Sequence, residues 1–317
     1  MTPCFAAIDW GTSNFRLWLV DDEGNVIARK TSAQGMATLS ADRYADVMEE
    51  HLAGLGVPPD LPAVVCGMAG SRSGWAEAPY LDTPVSIDRI SGSAVQPCSQ
   101  ARPVWIMSGV CQHDPESPDV MRGEETQIVG AWAIAAREGL FCLPGTHSKW
   151  VEIDNGKIVR FHTFMTGELF ALISQRSVLA PTLEDPENGL EEAAYSNAVA
   201  EMLDQPGQLT QKLFGIRASR LLSAGKQLGS LSRLSGLLIG AELAAARRTF
   251  PSTGAVTLIS DGEVGRNYNI ALRQAGFDVI NLDAESATLR GLVEAATKLL
   301  NNGSALEKPD LNLKVGS

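Results

Sequence analysis

The stretch Phe5-Ala6-Ala7-Ile8-Asp9-Trp10-Gly11-Thr12-Ser13-Asn14-Phe15-Arg16-Leu17-Trp18-Leu19-Val20 decides how the rest of the chain is read. An apolar run climbs to a single carboxylate at Asp9, a small polar corner follows, and a second apolar run descends. By strand rules these are two half-buried strands meeting at a turn of small residues. Gly11 lets the backbone approach a ligand, and Thr12 and Ser13 set hydroxyls beside free N–H groups. Those groups suit a phosphate, and Asp9 stands where it would hold a hydrated metal ion. Turns of this composition are also common as plain turns, so the rest of the chain has to add weight.

It does so by repetition. Gly145-Thr146-His147-Ser148-Lys149-Trp150-Val151-Glu152-Ile153-Asp154-Asn155-Gly156-Lys157-Ile158-Val159 echoes Gly11 through Ile27. In both places a strand leads to Gly-Thr, a second strand follows, and an acidic turn with Gly opens a third. Asp-Asn-Gly is a tighter hairpin turn than Asp-Asp-Glu-Gly, which makes the second copy shorter. Each copy continues into a helix, so two β-β-β-α units are expected, as duplicated domains each offering a Gly-Thr corner.

The totals narrow the partners. A chain of 317 residues has room for two cores, and 44% hydrophobic with 20% charged residues is ordinary globular composition. A net charge of −11 argues against nucleic acid. Anionic small molecules remain open, through local Arg, Lys and N–H groups. Five scattered cysteines without a C-x-x-C favour buried thiols in a reducing compartment over disulfides or zinc. No signal peptide or membrane span is read: the most apolar helical run, Leu234 to Ala246, is short and broken by Glu242. A cytoplasmic protein with no membrane partner is expected, its oligomeric state open, a homodimer included.

Ser40 is expected to cap a helix with Val47, Met48, Leu52 and Leu55 on one face, and 62–68 and 104–107 to be buried strands. Between those strands, Gly67-Met68-Ala69-Gly70-Ser71-Arg72-Ser73-Gly74-Trp75 begins where a buried strand ends. Ligands of open α/β sheets sit beyond such strand ends, so Arg72 and Trp75 are candidates for gripping a substrate. A surface loop with Trp75 as a lid over the core explains them equally well. Met121-Arg122-Gly123-Glu124-Glu125-Thr126-Gln127 opens a helix, where Glu124 and Glu125 either complement the helix dipole or supply a general base. Residues 180–230 read as a helical insertion, 255–260 and 277–282 as strands, and the last helix ends at Asn301-Asn302-Gly303 before a polar tail. The histidines show no spacing that suggests a metal site, and P-loop, Rossmann, nucleophile-elbow and zincin signatures are missing.

These residues resemble the actin-like ATPase superfamily of sugar kinases, actin and hsp70. Ile8-Asp9-Trp10-Gly11-Thr12-Ser13-Asn14-Phe15-Arg16 is similar to its first phosphate motif, and Leu143-Pro144-Gly145-Thr146-His147-Ser148-Lys149-Trp150 stands at its second. Leu258-Ile259-Ser260-Asp261-Gly262 stands at the adenosine motif, with Asp261-Gly262 in place of Gly-Gly. Within the superfamily, DWGTSNFRLW, GMAGSRSGW, MRGEETQIVGAW, LPGTHSKWV and FMTGELF resemble the 2-dehydro-3-deoxygalactonokinase family, over nearly the whole chain to about residue 300.

The resemblance implies an α/β fold of two ribonuclease H-like (actin-like ATPase) domains with a cleft between them. The layout expected is 1–130, 131–303 with the insertion near 180–230, and a tail 304–317. It implies a kinase that uses ATP and Mg2+ to phosphorylate the 6-hydroxyl of a small sugar acid, 2-dehydro-3-deoxy-D-galactonate, in galactonate catabolism. Asp9 would hold the metal, and Gly11, Thr12, Ser13, Gly145, Thr146 and His147 the phosphates. Asp261 and Gly262 would meet adenosine. Glu124 or Glu125 would be the base, and Arg72 and Arg122 would grip the carboxylate. Two rivals stand beside this reading. An exopolyphosphatase-type phosphohydrolase has a similar first motif and Glu-Glu helix, but a second motif of Asp-x-Gly-Gly-Gly-Ser type that this chain lacks. An hsp70- or actin-like ATP-binding protein would leave the Arg72–Trp75 loop and the two glutamates without a role.

Overall fold

A computed structural model describes residues 2–98, 102–183, 189–223, 229–251 and 254–300. The polar tail expected after Ser304 lies outside them. The chain packs into two compact units. One holds residues 1–138, 152–161 and the stretch from Leu282; the other holds 139–151 and 162–281.

In the first unit, β1 (Phe5–Trp10) and β2 (Phe15–Val20) form the expected antiparallel hairpin, Phe5 opposite Val20 and Trp10 opposite Phe15. β3 (Val26–Ser32) pairs antiparallel with β2. After Ser40 the chain makes one 3-10 turn, Ala41–Arg43, before α1 (Tyr44–Ala53), so the helix starts later than the capping residue suggests. β4 (Ala63–Gly67) runs parallel to β1. The loop-rich stretch holds β5 (Tyr80–Asp82), β6 (Val85–Ser86), α2 (Ile87–Ser91) and β7 (Ala94–Val95). β8 (Val104–Met107) runs parallel to β4, completing the order β3-β2-β1-β4-β8-β7. β9 (Gly109–Gln112) and β10 (Asp119–Met121) join β5 in a small three-stranded sheet with no counterpart in the sequence reading. α3 (Glu124–Ala135) follows.

Beyond it come β11 (Gly139–Leu143), β12 (Ser148–Asp154), β13 (Lys157–Phe164) and α4 (Thr166–Arg176). The expected helical insertion is α5 (Glu192–Asp204) and α6 (Leu209–Leu222), ahead of α7 (Ser230–Thr249). β14 (Val256–Ile259), α8 (Gly262–Gln274), β15 (Val279–Leu282) and α9 (Ala284–Leu300) end the described chain. The second sheet has the order β15-β14-β11-β12-β13-β6. Its first five strands repeat the arrangement of the first sheet, with the hairpin strands outside, the opening strand central and parallel strands beyond. The duplication legible at Gly-Thr is therefore a duplication of topology, and the fold is the α/β, two-sheet, actin-like class. Among the described residues no helix is long and apolar enough to cross a membrane.

Period-2 alternation in β1 sends its side chains to two faces. Ala6, Ile8 and Trp10 join Phe15, Tyr44, Met48 and Val65 on one side. Phe5 and Ala7 join Trp18, Val64, Leu292 and Ala296 on the other, so α9 covers the face away from α1. In the second unit Trp150, Tyr195, Leu243, Leu258 and Leu272 share one core. Ala198, Met202, Ile216, Leu234 and Leu237 share another, which gives the insertion its own packing.

The tightest packing in the first unit is between α3 and α9. A Cβ on Gly130 would lie 1.8 Å from the Ala287 carbonyl oxygen, and one on Gly291 2.0 Å from that of Thr126. Neither neighbour is a side chain that can swing away. Gly130→Ala should therefore lower stability by about 1–3 kcal/mol although alanine is the better helix former. A denaturant midpoint equal to or above wild type would contradict this crossing.

Candidate active site

In the first unit the corner after β1 is braced from behind. The Gly11 amide donates to Asn14 O at 2.9 Å, while Met36 N–H and Ala37 N–H donate to the Gly11 and Thr12 carbonyls at 3.0 and 2.9 Å. The corner's carbonyls are thus used inward. Thr12 and Ser13 are exposed, and among the described residues their amides and hydroxyls meet no acceptor. Asp9 is fixed by Arg16, whose Nη2 lies 2.6 Å and Nε 3.0 Å from Oδ2. Its other oxygen has the Cys66 thiol at 3.8 Å.

Gly67, at the end of β4, has φ +86, and a Cβ there would meet Trp10 O at 2.7 Å and Asp9 Oδ1 at 3.3 Å. A Cβ on Gly123, at φ +109, would sit 3.4 Å from the Gly67 Cα. The two glycines bring the N-terminus of α3 against the strand that flanks Asp9. The structure thus joins Asp9 to the Glu124–Glu125 pair, two features 115 positions apart in the chain numbering.

The two glutamates diverge. Glu125 is completely buried, and both its oxygens accept from the Gly123 N–H, at 2.9 and 2.7 Å. Burial, with the neighbouring Glu124 charge second, pushes its carboxyl up to about 8. Glu124 is half-buried and accepts the Arg122 N–H at 3.1 Å.

Arg122 stacks over Tyr80, 4.3 Å from the ring centroid, and its Nη2 donates to Ala78 O at 2.8 Å. Among the described residues its Nε and Nη1 meet no acceptor, although both atoms are buried. A buried guanidinium with two unmet N–H groups is costly unless an anion completes it. Arg72 is exposed and, among the described residues, makes no hydrogen bond or ion pair. Trp75 is half-buried, its ring centroid 6.2 Å from those of both Trp10 and Tyr44, which seats it in the aromatic core under the corner.

The second unit holds the echo. Gly145, Thr146 and His147 are exposed, and the corner rests on the N-terminus of α4. Glu168 N–H donates to Thr146 O at 2.9 Å, and a Cβ on Gly167 would strike Gly145 O at 2.3 Å. His147 Nε2 lies 2.6 Å from Glu168 Oε2. Behind the corner, the buried Glu242 of α7 accepts from Trp150 Nε1 at 2.8 Å, from Tyr268 OH at 2.7 Å and from the Thr166 hydroxyl. Tyr268 OH is also 2.7 Å from Ser148 Oγ. One carboxyl therefore ties together β12, the start of α4 and α8.

Beside this network is a cavity of about 270 Å³, lined in part by Gly145, Gly167, Ser235, Glu263, Asn267 and Tyr268. Asp261 precedes α8 and Gly262 opens it at φ +59, so the turn leads directly into the helix that lines the cavity. In the sequence Glu242 reads only as the charge that breaks an apolar run, and Tyr268 carries no signal. The available signal was the acid interrupting an otherwise apolar helix, which is rarely placed there without donors to meet it.

A duplicated β-β-β-α sheet with an exposed Gly-Thr corner in each copy is the α/β framework that the sequence led us to expect. Comparison with known proteins gives the particular family. The description "2-keto-3-deoxy-galactonokinase" matches residues 9–295. The probable 2-dehydro-3-deoxygalactonokinase DgoK1 of Rhizobium meliloti (strain 1021) is 40% identical over 294 residues, 92% of this chain and 96% of the relative. The 2-dehydro-3-deoxygalactonokinase of Escherichia coli (strain K12) is 35% identical over 306 residues, 95% of this chain and all of the relative. A crystal structure of a Sinorhizobium meliloti protein provisionally described as a 2-dehydro-3-deoxygalactonokinase superposes with a TM-score of 0.88 at 40% identity, covering 94% of this chain and 99% of that one. The chain belongs to the 2-keto-3-deoxy-galactonokinase family, and it is a kinase.

Glu125 makes stability depend on pH. Because its carboxyl is raised in the folded state, the native protein keeps a proton that the unfolded chain releases from about pH 4.3 upward. The resulting stabilisation is complete at low pH and is lost as pH rises through about 8. Relative to wild type, Glu125→Gln should gain melting temperature steadily between pH 5 and pH 9. A difference in Tm that stays constant across that range would show that Glu125 ionises normally.

Proposed function

We propose that the protein transfers the γ-phosphoryl group of ATP to the 6-hydroxyl of 2-dehydro-3-deoxy-D-galactonate, giving the 6-phosphate and ADP in galactonate catabolism. Family membership supports the reaction. The observation that carries its chemistry is the contact of Gly67 with Gly123, which sets Asp9 beside the start of α3. Phosphoryl transfer is chiefly positioning and charge neutralisation, and the residues present suit both.

The exposed amides and hydroxyls of Thr12 and Ser13, with Gly11, are assigned to phosphate oxygens in the first unit. Gly145, Thr146 and His147 take the same role in the second. The cavity beside Tyr268, reached through Asp261 and Gly262, is assigned to the adenosine. Asp9 suits Mg2+ held through water: Arg16 fixes one oxygen, and the other faces the space a Cβ on Gly67 would fill. When bound, that ion would neutralise charge on the triphosphate.

Glu124 is assigned as the base that takes the proton of the attacking hydroxyl. Glu125 is sealed from substrate and, with its carboxyl at about 8, holds its own proton near neutrality. Arg122 is assigned to the substrate carboxylate, which would satisfy its two unmet N–H groups. Arg72 is available as a second cation, and Trp75 shapes the floor beneath the loop. A small-molecule partner and a cytoplasmic location, where ATP is supplied, complete the reading; no nucleic-acid role is assigned.

Purified protein with Mg-ATP should form ADP when 2-dehydro-3-deoxy-D-galactonate is added and not without it, and Glu124→Gln should lower kcat by about two to four powers of ten. Turnover independent of the sugar acid, or phosphate release from polyphosphate, would remove the kinase assignment. A Glu124→Gln variant at wild-type kcat would move the base elsewhere. Arg122→Gln should raise KM for the sugar acid by about 10- to 100-fold while KM for ATP stays within a factor of two to three. An unchanged sugar-acid KM would free Arg122 of that role.

A further inference from the structure

We propose that Asp82, Cys111 and His113 form a binding site for a divalent transition metal of the zinc class. None of the three has a part in the reaction above. The site is a product of strand pairing. Asp82 ends β5 directly opposite Cys111 of the parallel strand β9. His113 lies two residues beyond Cys111, and the period of a strand returns it to the same side. The spacing of the histidines could not reveal such a site, because one ligand comes from another strand.

The donor atoms already stand together. Cys111 Sγ is 3.2 Å from Asp82 Oδ1 and 3.6 Å from His113 Nε2, and His113 Nε2 is 3.1 Å from Asp82 Oδ1. A tetrahedral zinc site with bonds of about 2.3 Å to sulfur, about 2.0–2.1 Å to nitrogen and about 2.0–2.2 Å to oxygen has ligand–ligand edges of about 3.3–3.6 Å. Three of its corners are thus in place to within a few tenths of an ångström. Among the described residues this is the one such group of three.

The donor chemistry selects the ion. A sulfur, an imidazole nitrogen and a carboxylate oxygen suit zinc and its borderline-soft neighbours, whereas magnesium and calcium prefer oxygen alone. Access is also provided for. Cys111 is buried at the floor, while the Asp82 and His113 side chains are 71% and 81% exposed, so an ion can arrive from water and keep a water as its fourth ligand. Binding would replace the thiol proton with a sulfur–metal bond and release that proton to solvent. A simple Asp82–His113 ion pair explains two of the residues; it does not explain a buried thiol directed at both.

The test uses the full-length protein after treatment with a chelator. Zn2+ titrated against a chromophoric competitor should bind at a single equivalent. Co2+ should give the near-ultraviolet absorption of a thiolate–cobalt bond. Cys111→Ser should abolish that band, and Cys98→Ser, which removes an exposed thiol, should leave it. Asp82→Asn and His113→Ala, at exposed positions that leave folding intact, should each weaken Zn2+ binding at least about tenfold. Absence of stoichiometric Zn2+ binding would overturn the proposal. So would a cobalt band that persists in Cys111→Ser, or wild-type affinity in both Asp82→Asn and His113→Ala.

Discussion

The first unit depends on backbone meeting backbone without side chains between. Gly67 lies against Trp10 and Gly123, and Gly130 and Gly291 let α3 and α9 touch. α9 in turn covers one face of the sheet that carries Asp9. A helix held by its backbone at its start and at its middle has little freedom to shift along its axis. The residues at its N-terminus therefore keep fixed positions relative to β1. The divergence of Glu124 and Glu125 follows from this. The same close approach that seals Glu125 under the turn leaves its neighbour facing outward, so two adjacent acids acquire different chemistry from position alone.

The second unit reaches similar rigidity by a different route. Its corner is backed by a buried carboxyl, Glu242, whose three donors come from three separate elements. Burying an acid is costly, and burial raises the Glu242 pKa. The donors offset that cost only if β12, α4 and α8 hold their relative places. The network is thus satisfied in a single arrangement, which is also the arrangement that shapes the neighbouring cavity.

Charge in this protein is local. The chain carries a net −11, yet two guanidinium groups of the first unit are held in place by specific contacts. Arg16 is spent on orienting Asp9, and Arg122 is clamped between Tyr80 and the Ala78 carbonyl. An acidic surface repels anions over a Debye length, but a buried fork within contact distance is little affected by that field.

Most of the framework was legible in the sequence because it rests on short-range rules. Alternation at residues 5–20 gives the hairpin, the turn glycines give its echo, and helical spacing gives α7 and α9. The helical nature of the insertion follows from its helix-prone composition, since its apolar pattern is weak. The start of α1 was less legible, since a 3-10 turn and an α-helix share their capping residues. What only the tertiary structure decided are the meetings of distant residues. It places Gly123 on Gly67, three donors on Glu242, Arg122 over Tyr80 and Asp82 beside Cys111. Apart from the acid that interrupts α7, these meetings leave no local trace, because each partner alone obeys the ordinary preferences of its own strand, helix or turn. The sequence by itself determined where the two Gly-Thr corners fall; the packing of backbone on backbone decided which acids stand near the first of them.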